Sequence, residues 1–149
     1  MEVHVDVLSR PTGTIPLLGS SDVVVCRRVV GKLAEQLGFS VIGKTMLVTA
    51  ASELARNVVV HGGGGEASWT VLREGDRAGV RLVFQDHGPG IADLGRAMTD
   101  GWTSGGGLGL GLSGASRLVH EFNIDSVVGR GTQVVVIRWR QLPSTKHRV

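Results

Sequence analysis

The sequence predicts an α/β fold: a two-layer sandwich in which about three helices cover one face of a mixed, mostly antiparallel sheet. Three observations carry this. Apolar residues recur at helical spacing in three stretches; short alternating stretches come in pairs; no internal repeat or linker divides the chain. At 149 residues and 42% hydrophobic, the chain fits one domain that can bury a core without disulfides or a structural metal. That core is expected over about residues 21–139, with a basic tail over 140–149.

Each element has its own signal. Val3, Val5 and Val7 alternate with Glu2, His4 and Asp6, the period of a half-buried strand. Pro11, Gly13, Pro16 and Gly19 mark a turn-rich connection. Ser20, Ser21 and Asp22 are N-cap candidates for a first helix through Cys26, Val29, Val30, Leu33 and Leu37, stopped by Gly38. A second helix is predicted from about Ile42 to Val60, its stripe formed by Leu47, Ala50, Leu54 and Val58. A strand over Ala67 to Arg73, a turn at Glu74 to Arg77 and a strand through Val80, Leu82 and Phe84 form a hairpin ending at Asp86. A short helix over Leu94, Ala97 and Met98 is followed by a third helix through Leu112, Ala115, Leu118, Val119 and Phe122. Strands at about Ile124 to Val128 and Gln133 to Trp139 complete the set.

Composition excludes several classes. Cys26 is the single cysteine and sits in a helical apolar pattern, which reads as a packed thiol in a reducing compartment. No apolar run reaches the roughly 18 residues of a membrane span, and the polar start is not a signal peptide, so a cytoplasmic protein is expected. The net charge of +3 arises from scattered residues and the tail Lys146-His147-Arg148, giving nucleic-acid binding little support.

Polar residues nevertheless gather at particular places. Glu53, Asn57 and His61 are spaced by four, so they stack beside the apolar stripe of the second helix. A half-buried Glu and Asn are costly without partners, which makes the pair a site candidate. Asp86 closes an apolar strand and opens Asp86-His87-Gly88-Pro89-Gly90, a lone carboxylate followed by glycines. A second glycine cluster, Gly105-Gly106-Gly107-Leu108-Gly109-Leu110-Gly111, leads into the third helix, and Gly129-Arg130-Gly131-Thr132 separates the last strands.

Two familiar spellings compete for these residues. Gly38 to Thr45 satisfies the Walker A pattern, but a phosphate loop must leave a strand, whereas a helix precedes this one. Gly109 to Gly114 satisfies G-x-G-x-x-G, again without a strand before it.

The four segments in order, over residues 53 to 132, resemble the Bergerat (GHKL) ATP-binding fold shared by gyrase, sensor histidine kinases and the mismatch-repair MutL proteins. The resemblance implies ATP and Mg2+. Asp86 would accept from the adenine amino group, with Gly88 and Gly90 letting the backbone approach the base. Asn57 would offer oxygen to magnesium. Backbone N–H groups from Gly105, Gly106, Gly107, Leu108, Gly109, Leu110 and Gly111 would cradle the polyphosphate, and Thr132 would bond near Asp86. Glu53, one turn before Asn57, would orient or deprotonate an attacking hydroxyl. His61 and His87 receive no catalytic step, each having a structural or solvent-facing reading, and Arg56, expected to reach solvent or a partner, receives none either.

Within that superfamily, Glu53-Leu54-Ala55-Arg56-Asn57, Asp86 to Ile91, Asp100-Gly101-Trp102 and Ser104 to Gly109 resemble the RsbT-type switch-protein serine/threonine kinases. That likeness implies a STAS-domain protein substrate, a PP2C-type phosphatase as further partner and a role in stressosome-like signalling. The related RsbW-type anti-sigma factors, which sequester a sigma factor and phosphorylate its antagonist, share the same ATP site. A detached histidine-kinase domain is disfavoured by the lack of a phosphoacceptor helix pair. Oligomeric state is not readable.

Overall fold

The computed structural model describes residues 11–99 and 111–141. In chain order these form β1 (Thr12–Leu17), α1 (Ser20–Gln36), α2 (Val41–Val60), β2 (Gly65–Glu74), β3 (Arg77–Asp86), α3 (Leu94–Ala97), α4 (Gly111–Ser116), β4 (Glu121–Val127) and β5 (Gly131–Trp139). The strands form one sheet in the order β1-β2-β3-β5-β4. Every described pairing is antiparallel, so the expected mixed character gives way to a uniform ladder.

Strand alternation explains the two layers. Ile15 and Leu17, Ala67 and Trp69, Val80, Leu82 and Phe84, and Val134 and Val136 project to one face and are buried there. Against them lie Val29, Val30 and Leu33 of α1 and Leu47, Ala50, Leu54 and Val58 of α2. Helices therefore cover a single face of the sheet. The Cys26 thiol is packed among them, and burial pushes its pKa up to about 12, which suits a packing role.

The helix ends follow local chemistry. Gly38 adopts φ +82°, and bonds from Gly38 N–H to Glu35 O (3.1 Å) and from Phe39 N–H to Ala34 O (2.9 Å) close α1 in a Schellman arrangement. Ser40 then caps α2, its Oγ accepting the Gly43 N–H at 3.0 Å. At the start of α1 the cap residue is Gly19 and makes no side-chain cap bond. Asp22 instead accepts the Leu18 N–H at 2.8 Å, which holds the turn entering the helix.

The expected Val3 to Val7 strand lies outside the described residues. Two other expectations are corrected. The segment read as a turn-rich connection holds β1, at the sheet edge. An edge position tolerates Pro16, because only one side of the strand must be paired. Gly13 is specified by packing: a Cβ there would sit 2.1 Å from the Trp69 ring. The third helix is also shorter than expected, ending at Ser116, and Phe122 belongs to β4. Phe122 lies four residues after Leu118 but also two before Ile124, and the alternating period wins because β4 pairs along the whole of its length with β5.

The Walker A spelling, Gly38 to Thr45, starts just past the end of α1 and runs into the first turn of α2, so a helix and not a strand leads into it. Lys44 there pairs with the Glu35 carboxylate across the two helices, which draws the Glu35 pKa below its usual value. The segment is a helix-to-helix connector, but not the packed one its apolar residues suggest: Val41 and Ile42 are 80% and 69% exposed. Of the G-x-G-x-x-G spelling, only Gly111 to Gly114 fall within the described residues, inside α4.

Candidate functional site

The site grows from the C-terminal ends of α2 and β3. Helix α2 carries Glu53 and Asn57 one turn apart, and the Glu53 side chain is 15% exposed. Arg56 lies 3.9 Å from Glu53 Oε1 and is itself half exposed, so the arginine read as solvent-facing also flanks the carboxylate. The Asn57 carbonyl accepts N–H bonds from both His61 (2.9 Å) and Gly62 (3.0 Å), which ends the helix. The chain then passes so close to Asp86 that a Cβ on Gly62 would lie 2.4 Å from the Asp86 Cγ. Thus the helix bearing Glu53 and Asn57 terminates against the carboxylate at the end of β3.

Asp86 is 7% exposed and is held by backbone donors. Its Oδ1 accepts the Gly88 N–H at 2.9 Å and the Thr132 N–H at 3.2 Å. No donor among the described residues is bonded to Oδ2. A buried carboxylate oriented through one oxygen keeps the other available to a ligand donor.

The glycines have a reason the sequence did not display. Besides the expected approach of a flat base, the side on which a Cβ would stand at Gly88 and Gly90 faces the protein's own backbone. A Cβ on Gly88 would lie 2.7 Å from Gly62 O, and one on Gly90, at φ +77°, would lie 2.5 Å from Val127 O. Gly131, at φ +129°, passes Asp86 O so closely that a Cβ would sit 2.2 Å away. Three chain segments therefore converge on Asp86 with no room for side chains between them.

Thr132 reaches this corner twice, through its N–H to Asp86 and through its hydroxyl, 2.7 Å from Ser126 Oγ. Ser126 also accepts the Ile91 N–H at 2.8 Å and reaches Gly131 O at 3.2 Å. Sequence reading missed Ser126. Its signal was a polar residue on the core-facing period of β4, after Phe122 and Ile124, where an unpartnered hydroxyl would be costly.

The remaining candidates divide simply. Gly105, Gly106, Gly107, Leu108, Gly109 and Leu110 lie outside the described residues. Gly111, with φ +71°, begins α4, which packs on α2 through an element whose Leu112 and Ala115 are buried. His61 and His87 are both exposed. Among the described residues no three His, Cys, Asp or Glu side chains cluster as a metal cage. Asn57 offers a single amide oxygen, so a magnesium ion there would need ligand phosphates and water to complete its shell.

Comparison with known proteins gives the arrangement its relatives. The family described as Histidine kinase-, DNA gyrase B-, and HSP90-like ATPase matches residues 43–142. The serine/threonine-protein kinase RsbT of Bacillus subtilis (strain 168) is 38% identical over 118 residues, covering 79% of this chain and 89% of that protein. The anti-sigma F factor of Clostridium novyi (strain NT) is 27% identical over 115 residues, covering 74% of this chain and 80% of that one. Among solved structures, the RsbU and RsbW domains of a Mycobacterium tuberculosis protein superpose with a TM-score of 0.58 at 20% identity, covering 88% of this chain and 33% of that one, a likeness of fold. No described helix is long and apolar enough to cross a membrane. The chain belongs to the histidine kinase-, DNA gyrase B- and HSP90-like ATPases, and within them to the RsbT-type serine/threonine protein kinases.

Proposed function

We propose that this protein transfers the γ-phosphoryl group of ATP to a serine or threonine of a STAS-domain partner, and exchanges partners in a bacterial stress-signalling pathway. The observation that carries this is the convergence of α2, bearing Glu53 and Asn57, on the half-engaged carboxylate of Asp86. Asp86 Oδ2 and the Thr132 hydroxyl read the base. At the other end of the ligand, one helical turn of α2 spans from Asn57 to Glu53, so the carboxylate stands next to the amide that faces the phosphates. Magnesium held at Asn57 would supply charge neutralisation of those phosphates. Glu53 accepts the proton of the partner's hydroxyl as that oxygen attacks. Arg56 lies 3.9 Å away and flanks that carboxylate.

The test is incubation with labelled ATP and a purified STAS domain. Acid-stable phosphate on the partner is expected. Acid-labile phosphate would point to histidine transfer and contradict the proposal.

A second reading rests on the likeness to an anti-sigma F factor. In that case the protein holds a sigma factor and phosphorylates its antagonist. Pull-down against a sigma factor, a STAS protein and a PP2C-type phosphatase separates the two: capture of the sigma factor supports the anti-sigma role, and capture of the phosphatase supports the switch-kinase role.

A further inference from the structure

We propose that Ser126 fixes the Thr132 hydroxyl as a hydrogen-bond acceptor, so that the base corner selects a 6-amino purine and rejects a 6-oxo purine. The inference deepens the nucleotide reading of the site and rests on it. It begins with a census of donors. The Gly88 and Thr132 N–H groups are spent on Asp86 Oδ1, and the Ile91 N–H is spent on Ser126 Oγ. These three backbone donors at the corner are silenced by the protein itself.

The two hydroxyls decide what remains. Ser126 Oγ has three neighbours: the Ile91 N–H, which can only donate; Gly131 O, which can only accept; and Thr132 Oγ1, 2.7 Å away, which can do either. All three contacts are satisfied together in one arrangement. Ser126 accepts from Ile91, donates to Gly131 O and accepts from Thr132. The Thr132 proton is then turned toward Ser126, and only lone pairs of Thr132 Oγ1 are left for a ligand. The Asp86 carboxylate that receives the Thr132 N–H carries a second acceptor, Oδ2.

Two acceptors at this corner match the exocyclic amine of adenine, which carries two hydrogens, and oppose the carbonyl oxygen that guanine or hypoxanthine has at that position. Asp86 alone would repel a carbonyl, but a freely rotating Thr132 would offer it a compensating donor. Ser126 removes that escape. It is a positioning residue, acting through Thr132 without touching the nucleotide.

Binding of ATP and of ITP, measured by calorimetry on the intact chain, tests this. Wild type should prefer ATP. In Ser126→Ala, the Thr132 hydroxyl and the Ile91 N–H are released as donors, so the ATP:ITP affinity ratio should narrow by about fivefold, the worth of one net hydrogen bond. Ser126→Thr keeps the hydroxyl and should keep the wild-type ratio. A purely structural role would weaken both nucleotides together, and an unchanged ratio in Ser126→Ala overturns the proposal. Should Ser126→Ala lack a cooperative melting transition, Thr132→Val provides a second arm. It removes the acceptor and should narrow the ratio by loss of ATP affinity alone, and an unchanged ratio there is equally fatal. Equal affinity of the wild type for ATP and ITP would instead overturn the base-reading role of Asp86, and this inference with it.

Discussion

Replacing Asp86 by Asn separates the two jobs of one carboxylate. The side chains are isosteric, so the amide oxygen can take the place of Oδ1 and still accept the Gly88 and Thr132 N–H groups at 2.9 and 3.2 Å. Those bonds lose their charge assistance, roughly half their strength, which costs about 1 kcal/mol of stability and a few degrees in melting temperature. At the Oδ2 position the change is of another kind. An NH2 group replaces an acceptor and would face the adenine amine in the proposed binding mode. Loss of a hydrogen bond to a charged group is worth about 1.5–3 kcal/mol, or about 10- to 150-fold in ATP affinity. Calorimetry on protein shown to be folded by its melting curve measures both quantities. Asp86→Ala makes the contrast, because it also strands two buried N–H groups at about 1–3 kcal/mol each and should lower stability far more. Wild-type ATP affinity in Asp86→Asn would show that Oδ2 does not read the base.

Lys44→Ala tests the Walker spelling: it removes only a partly exposed ion pair with Glu35, so ATP affinity should stay within about twofold of wild type and the melting temperature nearly unchanged. A large loss of ATP binding would restore the P-loop reading. His120 gives stability a pH dependence, because its Nδ1 accepts the Trp139 N–H at 3.0 Å and only the neutral ring can do so. Burial, then the charges of Arg138 and Arg77, lower its pKa below the usual value near 6.5, against a small opposing effect of Glu121. The unfolded chain therefore takes up this proton first, so the contribution is complete above about pH 6.5 and is lost as pH falls through the depressed folded value. Melting curves between pH 7.5 and 5 should show this loss in wild type, and His120→Asn should flatten part of the slope; parallel slopes would show that His120 does not titrate as described.

How much of this was legible depended on whether a signal was local. Helices α1 and α2 and the β2–β3 hairpin could be read because their apolar periods are long and their stops are glycines or turns. Glu53, Asn57, Asp86 and Thr132 were legible as candidates because helix spacing and glycine-flanked turns exposed them. Strand β1 was hidden, since its prolines and glycine suggest turns and only the Trp69 ring packed over Gly13 explains them. Phe122 served two periods equally well, and long-range pairing with Val136 settled which one applied. Ser126 had no local signal beyond an unlikely polarity, because its three partners come from β4's neighbours in space, 5 to 35 residues away. The reason for Gly88 and Gly90 was likewise tertiary, residing in the backbones of Gly62 and Val127.

Under the proposed function, α2 supplies a catalytic carboxylate at Glu53 beside a separate cation-binding amide at Asn57. Single-turnover transfer from labelled ATP to a STAS-domain partner, with ATP affinity measured in parallel on folded protein, tests it most directly. Glu53→Gln should slow acid-stable transfer by about 10²- to 10⁴-fold while ATP binding is kept, since only the proton acceptor is lost. Asn57→Ala should lose magnesium-dependent ATP binding as well. Transfer by Glu53→Gln at the wild-type rate would contradict the account.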